Sequence, residues 1–376
     1  MQYIIGIFIA FFLAVLILTK KGSNRADVFL GVWLIVIGIH IFGYYSFVSG
    51  IIYTIPNLMW LNLPYAFVHG PMLYLYTEAL TNPERFKSKR WLLHFVLPIL
   101  ISFSAFPVMF LPENVRIMIY KNNGRGYENY MLDWTILLGI SGVIYVISTY
   151  ILLFKHKKRI LNQFSNQEKI NLNWLRFLLY GMGITWVIII LGGSDKWIFS
   201  TSTVLLIFIG FFGIRQVGIF TDQNVEIESI DELIIEEPIV IETRIEKKKY
   251  AKSSLNEDTA KDIHRKLQHL MITERLFTEP ELTLTDLATR LGIHPNYLSQ
   301  VINDLEGVNF YDYINTLRIQ EFKILVSLPE NKKYTFLSLA YECGFNSKSA
   351  FNRFFKKATN LSPSEYLKNI NKQYSE

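Results

Sequence analysis

Short amide, hydroxyl and basic side chains recur at helical spacing in two stretches of the last hundred residues. The first stretch holds Asn296, Ser299 and Gln300, and the second holds Lys348, Ser349, Asn352, Arg353, Lys356 and Lys357. Asn and Gln can bond adenine, and Arg can bond guanine, through paired hydrogen bonds in the major groove. Lysines near the end of such a helix more often meet phosphates, which position a protein without reading sequence. The pattern predicts contacts to double-stranded DNA, with Arg353 on guanine and Lys356 and Lys357 on phosphates.

The first stretch lies in a predicted helix-turn-helix unit over about residues 284–305. One face of its first helix is apolar, with Leu284, Leu287, Ala288 and Leu291. Gly292 then supplies the sharp turn that such units often require, and Pro295 suits the first turn of the next helix. The inner face of that second helix carries Leu298, Val301 and Ile302. Its polar side chains are therefore predicted to point outward.

A second unit over about residues 335–358 repeats this arrangement. Phe336, Leu339, Ala340 and Cys343 form the inner face of its first helix, Gly344 makes the turn, and Ser347 can cap the next helix. A helical pattern over 309–328 joins the units, and 19 residues of helix are roughly 28 Å long. This is near the roughly 34 Å between successive major-groove faces of DNA. One such unit would be weak evidence, but two units joined by a helix of this length are much stronger.

This region, roughly residues 266–369, resembles the AraC/XylS family of transcription regulators. The matching motifs lie at 313–318, 339–345, 349–357 and 361–366. The resemblance implies a seven-helix DNA-binding domain. It also implies base contacts by Asn296, Ser299, Gln300, Lys348, Ser349, Asn352 and Arg353. Phe322 departs from the family, which usually has Ala there, so the packing of the central helix must differ locally.

The first 220 residues are predicted to form a seven-span transmembrane bundle. Of the 376 residues, 51% are hydrophobic and only 19% are charged, and the apolar residues lie in long blocks. A hydrocarbon core of roughly 30 Å needs about 20 residues of helix. The predicted spans are 3–18, 26–48, 57–80, 91–110, 130–154, 174–191 and 197–219. The motifs at 70–76 and 94–98 resemble multi-span regions attached to some AraC/XylS regulators, which implies a sensor.

The distribution of Lys and Arg among the loops predicts the orientation. Basic residues are concentrated in the first, third and fifth loops, around residues 20–25, 85–90 and 155–169. The second loop has none and the sixth has only Lys196, whereas three basic residues in the fourth loop oppose the bias. The N-terminus is therefore expected outside the cytoplasmic (inner) membrane and the C-terminus in the cytoplasm, where DNA is.

An acidic cytoplasmic linker is predicted at 221–253, followed by the DNA-binding domain at 254–376. The linker carries nine acidic residues over 222–246 against Arg244, and this charge would repel DNA. It could be solvated, or alternating apolar and acidic residues could form an edge strand that pairs with a partner chain. A capping box at Ser254 and Glu257 predicts a helix to about residue 274. We expect a homodimer joined through the linker or this helix.

Two histidines, His40 and His69, lie within predicted spans, where ionisable groups are functional candidates. They could form a ligand or proton site for an unknown small-molecule or membrane signal, or each could simply bond a neighbouring group. The single cysteine, Cys343, excludes an internal disulfide or a cysteine-based zinc site and is expected to be buried. No motif indicates catalysis, a cofactor or a metal. The alternative function is a transporter or membrane enzyme whose helical tail binds a protein partner.

The orientation can be tested with reporter fusions. Fusions after Lys21, Arg90, Arg159 and Gln223 should report the cytoplasm, and fusions after Gly50 and Gly193 should report the outside. The physical reason is the retention of Lys-rich and Arg-rich loops on the cytoplasmic side. A C-terminal reporter found outside would contradict DNA binding on geometry alone.

Overall fold

The structure is a computed structural model that describes residues 1–61, 64–122, 124, 126–166, 172–216 and 255–366. The predicted linker lies outside the described residues. The described chain is helical, without a β-strand among these residues, and an isolated bridge joins Phe164 to Thr283. It forms two compact units. One consists of Met1–His156 and the described part of Leu172–Glu228; the other consists of the described parts of Lys157–Asn171 and Ser229–Glu376.

The first unit contains nine α-helices among the residues described. They are α1 (Gln2–Leu18), α2 (Arg25–Val48), α3 (Ile51–Thr54), α4 (Ala66–Thr81), α5 (Val96–Met109), α6 (Glu113–Lys121), α7 (Glu128–Gln163), α8 (Asn173–Ile190) and α9 (Asp195–Gln216). The last residues of α7, from Lys157, belong to the other unit. The core of the first unit is built from buried side chains of α1, α2, α4, α8 and α9, centred on residues such as Trp33, Leu34 and Leu175.

Each predicted span contains an α-helix, but the third and fourth are shorter than predicted. The third begins as a 3-10 helix at Pro56–Leu61, and α4 starts only at Ala66. Pro64 lies two residues before α4, and its nitrogen cannot donate the backbone hydrogen bond that a continuous helix through this position would need. By length and composition, three described segments could cross a membrane: Arg25–Val48, Lys89–Met109 and Met131–Gln163. Gln2–Leu18 and Trp174–Ile190 are shorter apolar helices. The count of seven spans stays a prediction.

The second unit contains six α-helices over its described C-terminal residues. They are α10 (Glu257–Thr273), α11 (Leu284–Leu291), α12 (Pro295–Val301), α13 (Phe310–Ser327), α14 (Phe336–Glu342) and α15 (Lys348–Thr359). The pairs α11–α12 and α14–α15 fall on the two predicted helix-turn-helix units. One boundary was wrong: the cap of α10 is Asn256, whose side chain accepts from the Asp258 amide, and not Ser254. The Asn256 side-chain oxygen thus binds one of the backbone amides at the helix start that have no partner within the helix.

The central helix α13 contributes side chains to two hydrophobic cores. Phe310, Tyr313 and Ile314 pack with α10, α11 and α12. One or more turns later, Ile319 and Phe322 pack with α14 and α15. Phe322 is 1% exposed, and its ring lies 4.7 Å from that of Phe351. The departure from the family's Ala is therefore accommodated by an aromatic cluster in the second core.

Gly292 and Gly344 lie at the turns of the two helix-turn-helix units. They allow a matched test of how closely the second of these turns packs on its neighbours. Both have positive φ, 66° and 94°, which costs a residue with a Cβ about 1–2 kcal/mol. A Cβ on Gly292 would meet no heavy atom within 4 Å, whereas one on Gly344 would lie 2.7 Å from the Thr278 carbonyl oxygen. Gly344→Ala should therefore destabilise the unit distinctly more than Gly292→Ala. Native-state hydrogen exchange of the α13 amides in the full-length protein measures the difference. Equal losses would refute the close approach.

Candidate nucleic-acid interface

Helix α12 carries the first group of predicted base-reading residues. The side chain of His294 caps this helix by accepting from the Asn296 amide at 3.2 Å, and Leu298 and Val301 anchor it in the core. Asn296 is consequently exposed, and Ser299 and Gln300 are half-buried. The Asn303 amide donates to the Ser299 carbonyl oxygen at 2.6 Å and reaches its hydroxyl at 3.3 Å. Ser299 is thus held by a side chain of the π-helical turn, Ile302–Glu306, that follows α12.

Helix α15 carries the second group on the face opposite its aromatic anchors. Ser347 caps the helix by accepting from the Ala350 amide at 3.1 Å, and Phe351, Phe354 and Phe355 are buried. The exposed side chains on the other side are Lys348, Ser349, Arg353, Lys356 and Lys357, with Asn352 half-buried between them. Burial of the three rings therefore fixes which face of α15 carries its cations.

The first turn of α13 holds two of these cations, a feature that sequence reasoning missed. The Lys357 ammonium pairs with the Asp312 carboxylate at 2.7 Å and lies 5.4 Å from the Phe354 ring centre. The Arg353 guanidinium donates to the Tyr311 hydroxyl at 3.4 Å. These partners are more than forty residues away in the chain, so no local spacing pattern indicates them. Tyr311 and Asp312 orient the cationic face of α15.

Arg318, on α13, is the most deeply buried cation among the described residues of the unit, at 1% exposure. Its Nε donates to the Phe277 carbonyl at 2.7 Å, and Nη2 donates to the Glu279 carbonyl at 2.7 Å and the Ser165 hydroxyl at 3.3 Å. Its Nη1 reaches the Asn315 side-chain oxygen at 3.3 Å and the Ser165 carbonyl at 3.5 Å. All five N–H groups of the guanidinium therefore have acceptors.

Burial also changes the ionisation of two groups near α13. It lowers the pKa of Arg318 to about 10, which leaves the guanidinium charged at neutral pH. It raises the pKa of the Cys343 thiol to about 12, so the thiol is protonated. A buried, protonated thiol is a poor nucleophile. Cys343 packs in the second core, as expected from its apolar position.

Charge is distributed unequally between the two outward faces. The residues of α12 include no Lys, Arg, Asp or Glu, whereas α15 carries Lys348, Arg353, Lys356 and Lys357. Attraction to phosphates is the sequence-independent part of DNA binding, and it scales with the number of cations at the interface. The α15 side can therefore supply most of the electrostatic attraction, while α12 offers mainly amide and hydroxyl groups.

Comparison with known proteins agrees with this geometry. A family model described as a helix-turn-helix domain matches residues 287–369. This part of the chain contains a helix-turn-helix domain. The uncharacterized transcriptional regulator YijO of Escherichia coli K12 is 34% identical over 95 residues, which are 25% of this chain and 32% of YijO. HptR, a transcriptional regulatory protein of Staphylococcus aureus, is 29% identical over 91 residues, which are 24% of this chain and 34% of HptR.

Another uncharacterized regulator, SACOL0084 of Staphylococcus aureus, is 30% identical over 86 residues, or 23% of this chain and 11% of that protein. The chain thus spans about a third of the length of YijO and HptR and 11% of SACOL0084. No solved structure matches it significantly. The helix-turn-helix domain and the names of the relatives support an AraC-like DNA-binding regulator.

The two predicted membrane histidines lie together in the first unit, apart from the helix-turn-helix domain in sequence. Nδ1 of His40 lies 2.9 Å from Nε2 of His69, and the Trp33 indole donates to Nδ1 of His69 at 3.2 Å. The histidines therefore bond each other and a neighbouring indole. Their role as a ligand site stays a prediction.

Single substitutions separate base reading from phosphate contact within the helix-turn-helix domain. Arg353→Ala should cost about 1–3 kcal/mol on the specific site and little on random DNA, because a base contact is lost. Lys357→Ala should weaken binding to the specific site and to random DNA alike. The magnitude of the slope of log K against log salt should fall by about 0.9. Binding titrations on specific and scrambled duplexes across salt measure both effects.

Asp312→Asn is the matched control for the lysine. It removes the carboxylate that competes for Lys357, so affinity for both duplexes should rise. An equal loss on both duplexes for Arg353→Ala would instead make Arg353 a phosphate contact.

Proposed function

We propose that this protein is a membrane-bound, sequence-specific DNA-binding transcription regulator. It couples a signal in or across the membrane to promoter binding, with the N-terminus outside the cytoplasmic membrane and the C-terminal unit in the cytoplasm. The base-reading residues proposed are those of α12 and α15, and the basic end of α15 contacts phosphates. The observation that carries the proposal is the pair of helix-turn-helix units built on one shared helix.

The length of α13 supports binding by both units at once. Its 18 residues correspond to about 27 Å of helix. Successive major-groove faces are roughly 34 Å apart, and recognition helices enter such grooves with their polar faces. Because α13 packs into both cores, it holds the units at one separation. A single chain can then contact two adjacent major grooves.

The surface of α7 supports a membrane location for the first unit. Ile136, Ile140, Ile144, Ile147 and Ile151 recur at helical spacing, and each is between 45% and 55% exposed. An apolar stripe of this length is unfavourable in water, but lipid accommodates it. The 36 residues of α7 span about 54 Å, which is longer than a hydrocarbon core of roughly 30 Å. Its basic end at 155–159 would then extend into the cytoplasm.

Homodimerisation would strengthen promoter binding. Two tethered DNA-binding domains have a raised effective concentration on a repeated DNA site, and they therefore gain avidity without a new contact. The acidic linker or α10 is the proposed contact. The seven-span architecture and the unknown signal are parts of the same proposal.

Footprinting of the full-length protein in lipid nanodiscs tests the function. The full chain is the appropriate sample, because Ser165 lies far before the helix-turn-helix domain in sequence and supplies two acceptors to Arg318. Selected promoter fragments should show protection in two major grooves about one helical turn, or 10–10.5 bp, apart. The double variant with Asn352 and Arg353 changed to Ala should lose the protection nearest α15.

Absence of any specific site at moderate salt would contradict the proposal. Together with specific capture of a protein partner by the same unit, it would favour a transporter or membrane enzyme with a protein-binding tail.

A further inference from the structure

The residues that follow α7 belong to the same unit as the helix-turn-helix domain. Helix α7 begins at Glu128 in the first unit, and its last residues, from Lys157, lie in the second unit. Ser165 comes two residues after the end of α7 at Gln163 and is only 2% exposed. Serines are mostly exposed in folded proteins. The burial of this one therefore indicates that a particular contact holds it.

Every polar group of Ser165 is bonded to the C-terminal part of the chain. Its backbone amide donates to the Leu282 carbonyl at 3.2 Å, and its hydroxyl donates to the same carbonyl at 2.7 Å. The hydroxyl oxygen also accepts from Nη2 of Arg318 at 3.3 Å. The Ser165 carbonyl accepts from the side-chain amide of Asn315 at 3.1 Å. The serine is thus held by α13 and by the residue that lies two positions before α11.

The two neighbouring residues extend this contact. Phe164 forms an antiparallel bridge with Thr283, whose side chain caps α11. The Asn166 side chain donates to Oε1 of Glu281 at 3.4 Å, and the same oxygen accepts from the Asn346 side chain at 2.9 Å. Asn346 lies in the turn before α15. Residues 164–166 therefore join the start of the first helix-turn-helix unit to the turn of the second.

Arg318 extends the influence of Ser165 to the turn of the second helix-turn-helix unit. Its Nε donates to the Phe277 carbonyl at 2.7 Å, and a Cβ on Gly344 would lie 2.8 Å from that same carbonyl oxygen. The guanidinium carbon lies 5.8 Å from the centre of the Phe345 ring. A change in the position of the guanidinium would therefore alter the surface on which the second turn packs.

We propose that residues 164–166 are a docking segment of the DNA-binding domain and that Ser165 is a positioning residue that sets the separation of α12 and α15. Without the hydroxyl, one buried N–H of Arg318 loses its acceptor, which loosens the packing of the two helix-turn-helix units. A domain held at one spacing loses less conformational freedom when it binds two grooves. The effect of Ser165 on DNA binding rests on the function proposed above, and the docking itself does not.

The docking segment also gives α7 a direct connection to the DNA-binding domain. Helix α7 is continuous over its 36 residues, from Glu128 to Gln163. Ser165 follows within two residues, so a displacement of α7 would reach the bonds of Ser165 directly. This connection identifies the fifth predicted loop, and not only the linker at 221–253, as a route from the membrane to the DNA-binding domain.

Cross-linking of the full-length protein in nanodiscs tests the docking. Asn166→Cys and Glu281→Cys are combined, because the native side chains are in contact, and a short bis-maleimide is added. Cys343, the single native cysteine, is 0% exposed and should not react. Mass spectrometry of the monomer should find the peptides containing residues 166 and 281 linked, whereas each single variant should give no such pair. Absence of the linked peptides from the double variant would overturn the proposal.

Spin-label distances test whether Ser165 positions the recognition helices. Labels are attached through Asn296→Cys on α12 and Lys348→Cys on α15, because both native residues are exposed. The full-length protein should give one narrow distance distribution, and Ser165→Ala should broaden it. Ser327→Ala is the matched control, because the Ser327 hydroxyl donates within α13, to the Ile324 carbonyl at 2.8 Å. This control should leave the distribution unchanged.

The expected consequence for DNA is a weaker preference for one spacing of half-sites. Two duplexes carry the same half-sites, either one helical turn apart or with about five more base pairs, half a turn, between them. The full-length protein should prefer the first duplex, and Ser165→Ala should reduce this preference on the order of tenfold. A merely structural role for Ser165 would lower the affinity for both duplexes by one common factor, and this result would overturn the proposal.

An unchanged distance distribution in Ser165→Ala, or equal broadening in Ser327→Ala, would also overturn it. The cross-linked variant retains Ser165, so that test does not depend on the folding of Ser165→Ala. Neither the cross-link nor the spin-label distances involve DNA. If both give the expected result while footprinting finds no specific site, the docking segment stands and the proposed function fails. A specific footprint without the cross-link would refute the docking segment alone.

Discussion

The buried guanidinium of Arg318 is the interaction on which the C-terminal unit depends. Removing an unpaired charge from water is strongly unfavourable, so each of its N–H groups must find an acceptor inside the protein. The acceptors come from three parts of the chain: Ser165, the short segment that contains Phe277 and Glu279, and Asn315, one turn before Arg318 on α13. Displacing any of these segments would leave a buried donor unsatisfied. A single side chain of the central helix thereby fixes the segment before α11 and the segment after α7 within one unit.

The same central helix determines how the two helix-turn-helix units are arranged. Successive turns of α13 enter different cores, so the separation of the cores follows from the rise of one helix. The turn at Gly344 packs on the carbonyl oxygens of Phe277 and Thr278, and Phe277 also accepts from Arg318. Packing of the second helix-turn-helix unit and burial of Arg318 are therefore coupled. A rigid spacing of this kind is what simultaneous contact with two grooves would require.

The outward faces of α12 and α15 carry different kinds of polar group. Helix α12 offers amide and hydroxyl groups without charge, while α15 concentrates four cations on one side of three buried phenylalanines. Tyr311 and Asp312 hold two of those cations in place through a hydrogen bond and an ion pair. An exposed ion pair of this kind contributes little stability. Its consequence is positional, because the phosphate contact proposed for Lys357 requires the ammonium group to leave this carboxylate.

Periodicity and local caps in the sequence were sufficient to predict the helices, the two turns and the burial of Phe351, Phe354 and Phe355, because these depend on residues within a few positions of one another. The outward placement of α15's cations follows from the same helical periodicity.

Other features depend on contacts between residues far apart in the chain. The pairing of His40 with His69, the acceptors of Arg318 and the clamp formed by Tyr311 and Asp312 belong to this group. The structure also corrected the cap of α10 and the start of α4, where a competing cap residue and Pro64 outweighed the periodic signal. Local chemistry thus determined the elements, and tertiary packing decided which of their polar groups meet.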